Sequence, residues 1–256
     1  MKMRRLTEIS ITLIAVLAIS AGLGIAAPLN QVTPQKLKTF AEVEAAIAAA
    51  RAELRARSEE SRDPLPLVRL YLMDGRLSEA EESLRAVLSK DPKNIQAYSL
   101  LGGLLRNSSR FTEAFETLAK AEATAPHAVP VRLLKAALAM DRMDFASAHA
   151  VYSVLSSENP ELPDALCGLA EVAYWENRLD DAMKLADQCL ALDPAFSRAH
   201  FLKSLIHRIR QENDLWAAAG RKAVEADPFD ADARANLSNI LMRGEKKMEE
   251  GYVEAK

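Results

Sequence analysis

This chain of 256 residues is short of what strands and hairpins are made from. It has nine glycines, and aromatics supply 5% of the residues, which excludes a fold of many short strands joined by tight turns. Its two cysteines are too few for a zinc site or a disulfide framework. The formal net charge of −3 leaves no basic footprint, so no nucleic-acid partner is expected. No GxxxxGK[ST] loop occurs, and the single GxG, Gly22-Leu23-Gly24, sits inside an apolar run without a strand–turn–helix context. His200 and His207 stand seven apart on one expected helix, but no carboxylate or cysteine follows either at three or four residues. Packing is therefore the reading for both, not metal binding. No cluster of nucleophile, acid and base emerges, so neither catalysis nor a cofactor is expected.

What the chain does have is a period. Pro92, Pro126, Pro160, Pro194 and Pro228 stand 34 residues apart, five of eleven prolines. Proline cannot sit inside a helix, because it lacks an N–H and its ring meets the carbonyl four residues back. A helix stop thus recurs at a fixed step. Numbering each unit so that its proline is place 32, the units begin at Ser61, Ile95, Val129, Pro163 and Ser197. Place 20 then holds Ala80, Ala114, Ala148 and Ala182, and place 8 holds Val68, Gly102, Ala136, Ala170 and Ser204. Place 27 holds Val87, Ala121, Leu155, Cys189 and Ala223. Small side chains at three recurring places imply two helices per unit, pressed together where larger groups would hold them apart. Tyr98, Leu101, Leu105 and Leu118 show the larger apolar places, at helical spacing.

This pattern resembles the tetratricopeptide repeat (TPR), a helix–turn–helix unit of about 34 residues with proline after its second helix. The resemblance implies an all-α fold, a right-handed superhelical solenoid of helix–turn–helix repeats. The expected units are 61–94, 95–128, 129–162, 163–196 and 197–230, with a partial unit at 231–242 and a polar tail at 243–256. Two departures stand out. The usual aromatic at place 4 survives only as Tyr98, and Trp216 replaces alanine at the helix contact of unit five.

Residues 1–32 read as a signal peptide or membrane anchor. MKMRR precedes nineteen uncharged residues, 9–27, a length between a signal core and a bilayer span. Gly24-Ile25-Ala26 offers a cleavage site. Lys2, Arg4 and Arg5 favour a cytoplasmic N-terminus, which puts the repeats on the far, periplasm-like side of a membrane. Residues 33–60 read as a capping helix and spacer, started by Thr33 and Pro34, with Phe40, Val43, Ile47, Ala50 and Leu54 on one face. Self-association through this helix is an alternative.

The resemblance also implies where a ligand would sit. First helices of TPR units line a concave groove, with places 2, 5, 9, 12 and 13 facing the ligand. Carried over by register, these give Arg69, Arg106, Asn107, Leu133, Met140, Cys167, Glu171, Tyr174, Trp175, Phe201, Leu205 and Arg208. A solvated face should be polar; this one mixes aromatics and aliphatics with arginine, the make-up of a protein-binding surface. Tyr174 and Arg208 are expected to lie clear of the seam between the two helices of a unit. Cys167 is expected to face away from Cys189, so no disulfide is anticipated. The clamp that holds chaperone tails is excluded, because Leu65, Leu100, Pro130 and Leu134 occupy its polar positions. The reading is a non-catalytic, exported or membrane-tethered scaffold for a polypeptide partner. An envelope chaperone similar to the anchored TPR subunits of cytochrome c assembly, or a structural homo-oligomer, are the other readings.

Overall fold

The computed structural model describes residues 37–56 and 63–244, and all regular structure among them is helical. The apolar leader, the helix start expected at Thr33 and the residues after 244 lie outside this range. No helix among the described residues is long and apolar enough to cross a membrane. The described chain divides into two compact units, one ending at Ser83 and one beginning at Leu84.

In the first unit, α1 spans Phe40–Ala56, α2 Leu65–Met73, and α3 begins at Leu77 and runs to Lys90 across the division. α1 is started by a reciprocal cap between Thr39 and Glu42. The Glu42 N–H donates to Thr39 Oγ1 at 3.2 Å and the Thr39 N–H to Glu42 Oε2 at 3.0 Å. Val43, Ile47 and Ala50 are buried as the helical spacing requires, whereas Phe40 stays exposed. Arg51 Nε donates to Tyr71 Oη at 2.8 Å, and the guanidinium groups of Arg51 and Arg76 both stack on the Tyr71 ring.

The second unit repeats one plan. Its first (A) helices are α4 Ile95–Asn107, α6 Val129–Asp141, α8 Pro163–Trp175, α10 Ser197–Ile209 and α12 Ala231–Gly244. Its second (B) helices are α5 Phe111–Thr124, α7 Phe145–Glu158, α9 Leu179–Leu192 and α11 Asn213–Ala226. Within it, the A helices pack on the B helix of the same repeat, on the preceding B helix and on the neighbouring A helices. Successive B helices show no comparable packing, which leaves the A helices on the inner layer. The small places do what the spacing requires: Ala114, Ala121, Ala136, Ala148, Ala170, Ala182 and Cys189 are fully buried.

The turn between A and B helices uses one backbone device throughout. Place 15 has a left-handed φ in every unit: Gly75 (73°), Ser109 (58°), Met143 (57°), Asn177 (59°) and Gln211 (61°). The following N–H closes onto the carbonyl five residues back, as in Arg110 N to Leu105 O at 2.8 Å and Arg178 N to Ala173 O at 2.8 Å. This is a Schellman closure, which satisfies carbonyls that the helix end would otherwise leave free. It also turns the chain sharply enough for the B helix to fold back on the A helix.

Unit five breaks the residue pattern without breaking the packing. Trp216 is 6% exposed and packs with Leu237, Ile240 and Leu241 of α12. Four residues on, Gly220 occupies place 24, where the earlier units carry Leu84, Leu118, Tyr152 and Ala186. The bulk has moved one turn back along the helix. A methyl group on Gly220 would stand 2.4 Å from Ile240 Cδ1, so glycine is the residue that lets α12 approach. Ser204 Oγ donates to the Trp216 carbonyl at 3.1 Å and accepts from Asn236 Nδ2 at 2.8 Å, closing a buried polar chain. The helix contact of unit five is thus a packed one despite Trp216.

Candidate peptide-binding groove

The inner A-helix layer of the second unit carries most of the surface proposed for a ligand. Its most exposed large hydrophobic side chain is Trp175, at 63%, on the last turn of α8. The indole meets Tyr174 edge to face, with ring centroids 5.6 Å apart and planes at 82°. One unit on, Arg208 and Ile209 end α10, both exposed, and Ile209 occupies the same place as Trp175. Arg208 makes no salt bridge to another described residue, so its fork of donors stays available. Asn107 is exposed, and Leu133, Phe201 and Leu205 are half-buried.

Other members of the candidate set are spent on the protein itself. Arg106 on α4 grips Asp141 at the end of α6 with two bonds, Nε to Oδ2 at 2.5 Å and Nη2 to Oδ1 at 2.8 Å. Glu171 on α8 is held by both Nε and Nη2 of Arg198 on α10. Both pairs tie one A helix to the next by a bidentate fork, a geometry that fixes orientation as well as distance. Asp141 and Arg198 were missed in the sequence. Opposite charges at facing places of successive units were the signal that could have found them.

Three placements differ from the expectation. Met140 is 8% exposed and belongs to the α6–α7–α8 core, and Cys167 is 1% exposed in the α8–α9–α10 core. Neither offers area to a ligand. An A helix packs against two B helices and two A helices, so more of its circumference is covered than a one-faced reading allows. Tyr174 also packs against the α8–α9–α10 core and is half-buried, so its truncation would reach the fold. Cys167 and Cys189 share that core and do not face apart. Arg69 is exposed on α2, within the first unit.

His200 and His207 are tied up locally. His200 Nε2 lies 2.9 Å from the Pro194 carbonyl, and His207 Nδ1 lies 2.5 Å from Glu212 Oε2 across the turn. No group of three metal-ligating side chains occurs among the described residues.

Residues 65–129 and 139–206 each match the tetratricopeptide repeat, and together they cover just over half of the sequence. The chain belongs to the tetratricopeptide-repeat family. It is similar over 150 residues, at 31% identity, to cellulose synthase operon protein C of Pseudomonas fluorescens (strain SBW25). That match covers 54% of this chain and 11% of the relative, so the chain spans a small part of that protein's length. Among solved structures it resembles a thermophilic TPR protein of Thermus thermophilus, with a TM-score of 0.55 at 16% identity over 63% of this chain and 89% of that one. It also resembles PilW, described as a widely conserved type IV pilus biogenesis factor, with a TM-score of 0.54 at 15% identity over 77% and 91%. At such identities the structural likeness speaks for the fold. TPR proteins generally bind protein partners and serve as scaffolds, typically non-catalytic ones.

Proposed function

We propose that this protein is a non-catalytic scaffold that binds a polypeptide along the inner A-helix layer of its second unit, centred on Trp175 and Arg208. The observation that carries the reading is the pair itself. An indole at 63% exposure is costly to leave in water, and exposed Arg208 offers planar donors that make no salt bridge among the described residues. Tryptophan and arginine are the residues whose truncation most often costs about 2 kcal/mol or more at an interface. A peptide supplying an apolar side chain to Trp175 and a carboxylate or carbonyl to Arg208 would satisfy both.

The test is site-specific photocrosslinking in the native host. A photoreactive side chain in place of Trp175 should give a discrete adduct with one polypeptide, and the same group at exposed Lys184 on α9 should not. Identical adducts at both positions, or none at 175, would place the partner elsewhere.

The repeats work outside the cytoplasm, exported or tethered by residues 1–32. Support comes from the basic start and the nineteen uncharged residues that follow. It is consistent with the relative named for a cellulose synthase operon and the neighbour named for pilus biogenesis. Alkaline phosphatase, active only after export, should be active when fused to the C-terminus. An inactive fusion beside an active cytoplasmic reporter would contradict this location.

A further inference from the structure

The only two cysteines of the chain, 22 positions apart, meet in one buried cluster. Cys167 lies on α8 and Cys189 on α9, the A and B helices of unit four, and their exposures are 1% and 0%. Ala170, Ala182 and Ala186 fill the rest of that seam, so the two helices approach closely here. The two side chains lie together in that seam, and Cys189 Sγ donates to the Pro163 carbonyl at 3.4 Å. Both residues have χ1 as their only heavy-atom rotation. Closing a bridge, with the sulfurs about 2.05 Å apart, thus calls on side-chain rotation and helix adjustment within one seam.

We propose that Cys167 and Cys189 form a dithiol–disulfide site, oxidised by a disulfide donor to a bridge that ties α8 to α9 within one repeat. The exchange balances as follows. One cysteine, as thiolate, attacks a sulfur of the donor, breaks its S–S bond and releases one donor thiol. The second cysteine attacks the mixed disulfide so formed, closing the protein bridge and releasing the second donor thiol. The two protons and two electrons lost by the protein end on the two released thiols. The hydrogen bond to Cys189, reinforced by burial, holds the Cys167 thiol well above its ordinary range. In the closed fold the Cys167 thiol thus stays protonated, and burial keeps reagents from both sulfurs. The bridge forms while unit four is open, during folding or by local opening, and is protected once the unit closes. The site needs no partner.

The experiment is refolding of the full chain from denaturant with oxidised or reduced glutathione, followed by alkylation of free thiols under denaturing conditions and intact mass. Oxidised refolding should give a monomer with no alkylatable thiol and a mass lower by two hydrogens. Its melting temperature should be several degrees higher than that of the reduced form, since the bridge restricts the unfolded chain, and a reducing agent should reverse the gain. Cys189→Ala is the control, because alanine already occupies this place as Ala121 and Ala223 and fits the seam. Its melting temperature should not respond to the oxidant. The proposal is overturned if two thiols remain free, if the product is a glutathione adduct or a dimer, if the bridged form melts lower, or if Cys189→Ala shows the same redox shift.

Discussion

Gly168 presses its backbone against the ring of Tyr152: a methyl group there would stand 2.4 Å from the ring carbons. The contact joins α7 of unit three to α8 of unit four, and Tyr152 is 2% exposed. Replacing Gly168 with alanine should cost about 1–3 kcal/mol in chemical denaturation, the usual range for overpacking. Adding Tyr152→Leu, the residue that the same place carries as Leu84 and Leu118, should recover part of the loss. An additive double variant would mean that this contact is not the constraint.

Unit five should tolerate its two exchanged residues only together. Trp216→Ala restores the alanine of the other units, yet it empties the space against Leu237 and Ile240 and should cost about 3–5 kcal/mol. The double variant Trp216→Ala, Gly220→Leu returns the bulk to its usual place and should be more stable than the sum of the single changes. A Trp216→Ala protein that unfolds at the parent's denaturant midpoint would show that the indole is not core.

The shared turn offers a stabilising change. Met143 adopts φ 57° with its side chain 76% exposed, so it bears left-handed strain and gains little from packing. Such a conformation costs an ordinary residue about 1–2 kcal/mol, whereas glycine adopts it freely but loses more freedom on folding. Met143→Gly should therefore raise stability by roughly 0.5 kcal/mol, and Gly75→Ala should lower that of the first unit. A loss on Met143→Gly would mean that the strain is not felt.

The architecture was legible because it rests on rules that side chains announce. A proline every 34 residues marks the helix stops, and mostly small side chains at places 8, 20 and 27 mark the seams. The left-handed turn was not legible. Gly75, Ser109, Met143, Asn177 and Gln211 share a backbone angle and no side-chain chemistry. The exposure of Trp175 and Arg208, which end their helices, was legible, while Met140 and Cys167 lie under neighbouring helices that cover the face. The Cys167–Cys189 contact escaped for the same reason. Trp216 was read against its own place alone, and its compensation stood four residues away in Gly220.

Ala148 and Lys184 separate the seam from the surface. Leucine at buried Ala148 should cost about 1–3 kcal/mol, while leucine at exposed Lys184 should be close to neutral. Equal losses would contradict the register.

The central claim is that Trp175 and Arg208 bind the partner and do not hold the fold. Its most direct test is a titration of the crosslinked partner, once identified, against Trp175→Ala, Arg208→Ala and the parent, with a thermal melt of each protein. A loss of about 2 kcal/mol at an anchor residue is about thirty-fold in Kd, so each variant should bind about thirty-fold more weakly or worse. Both should melt with the parent, because both side chains stand out from the packed layer. Parent-like binding by both variants with unchanged melting would contradict the account, and early melting would assign these residues to the core.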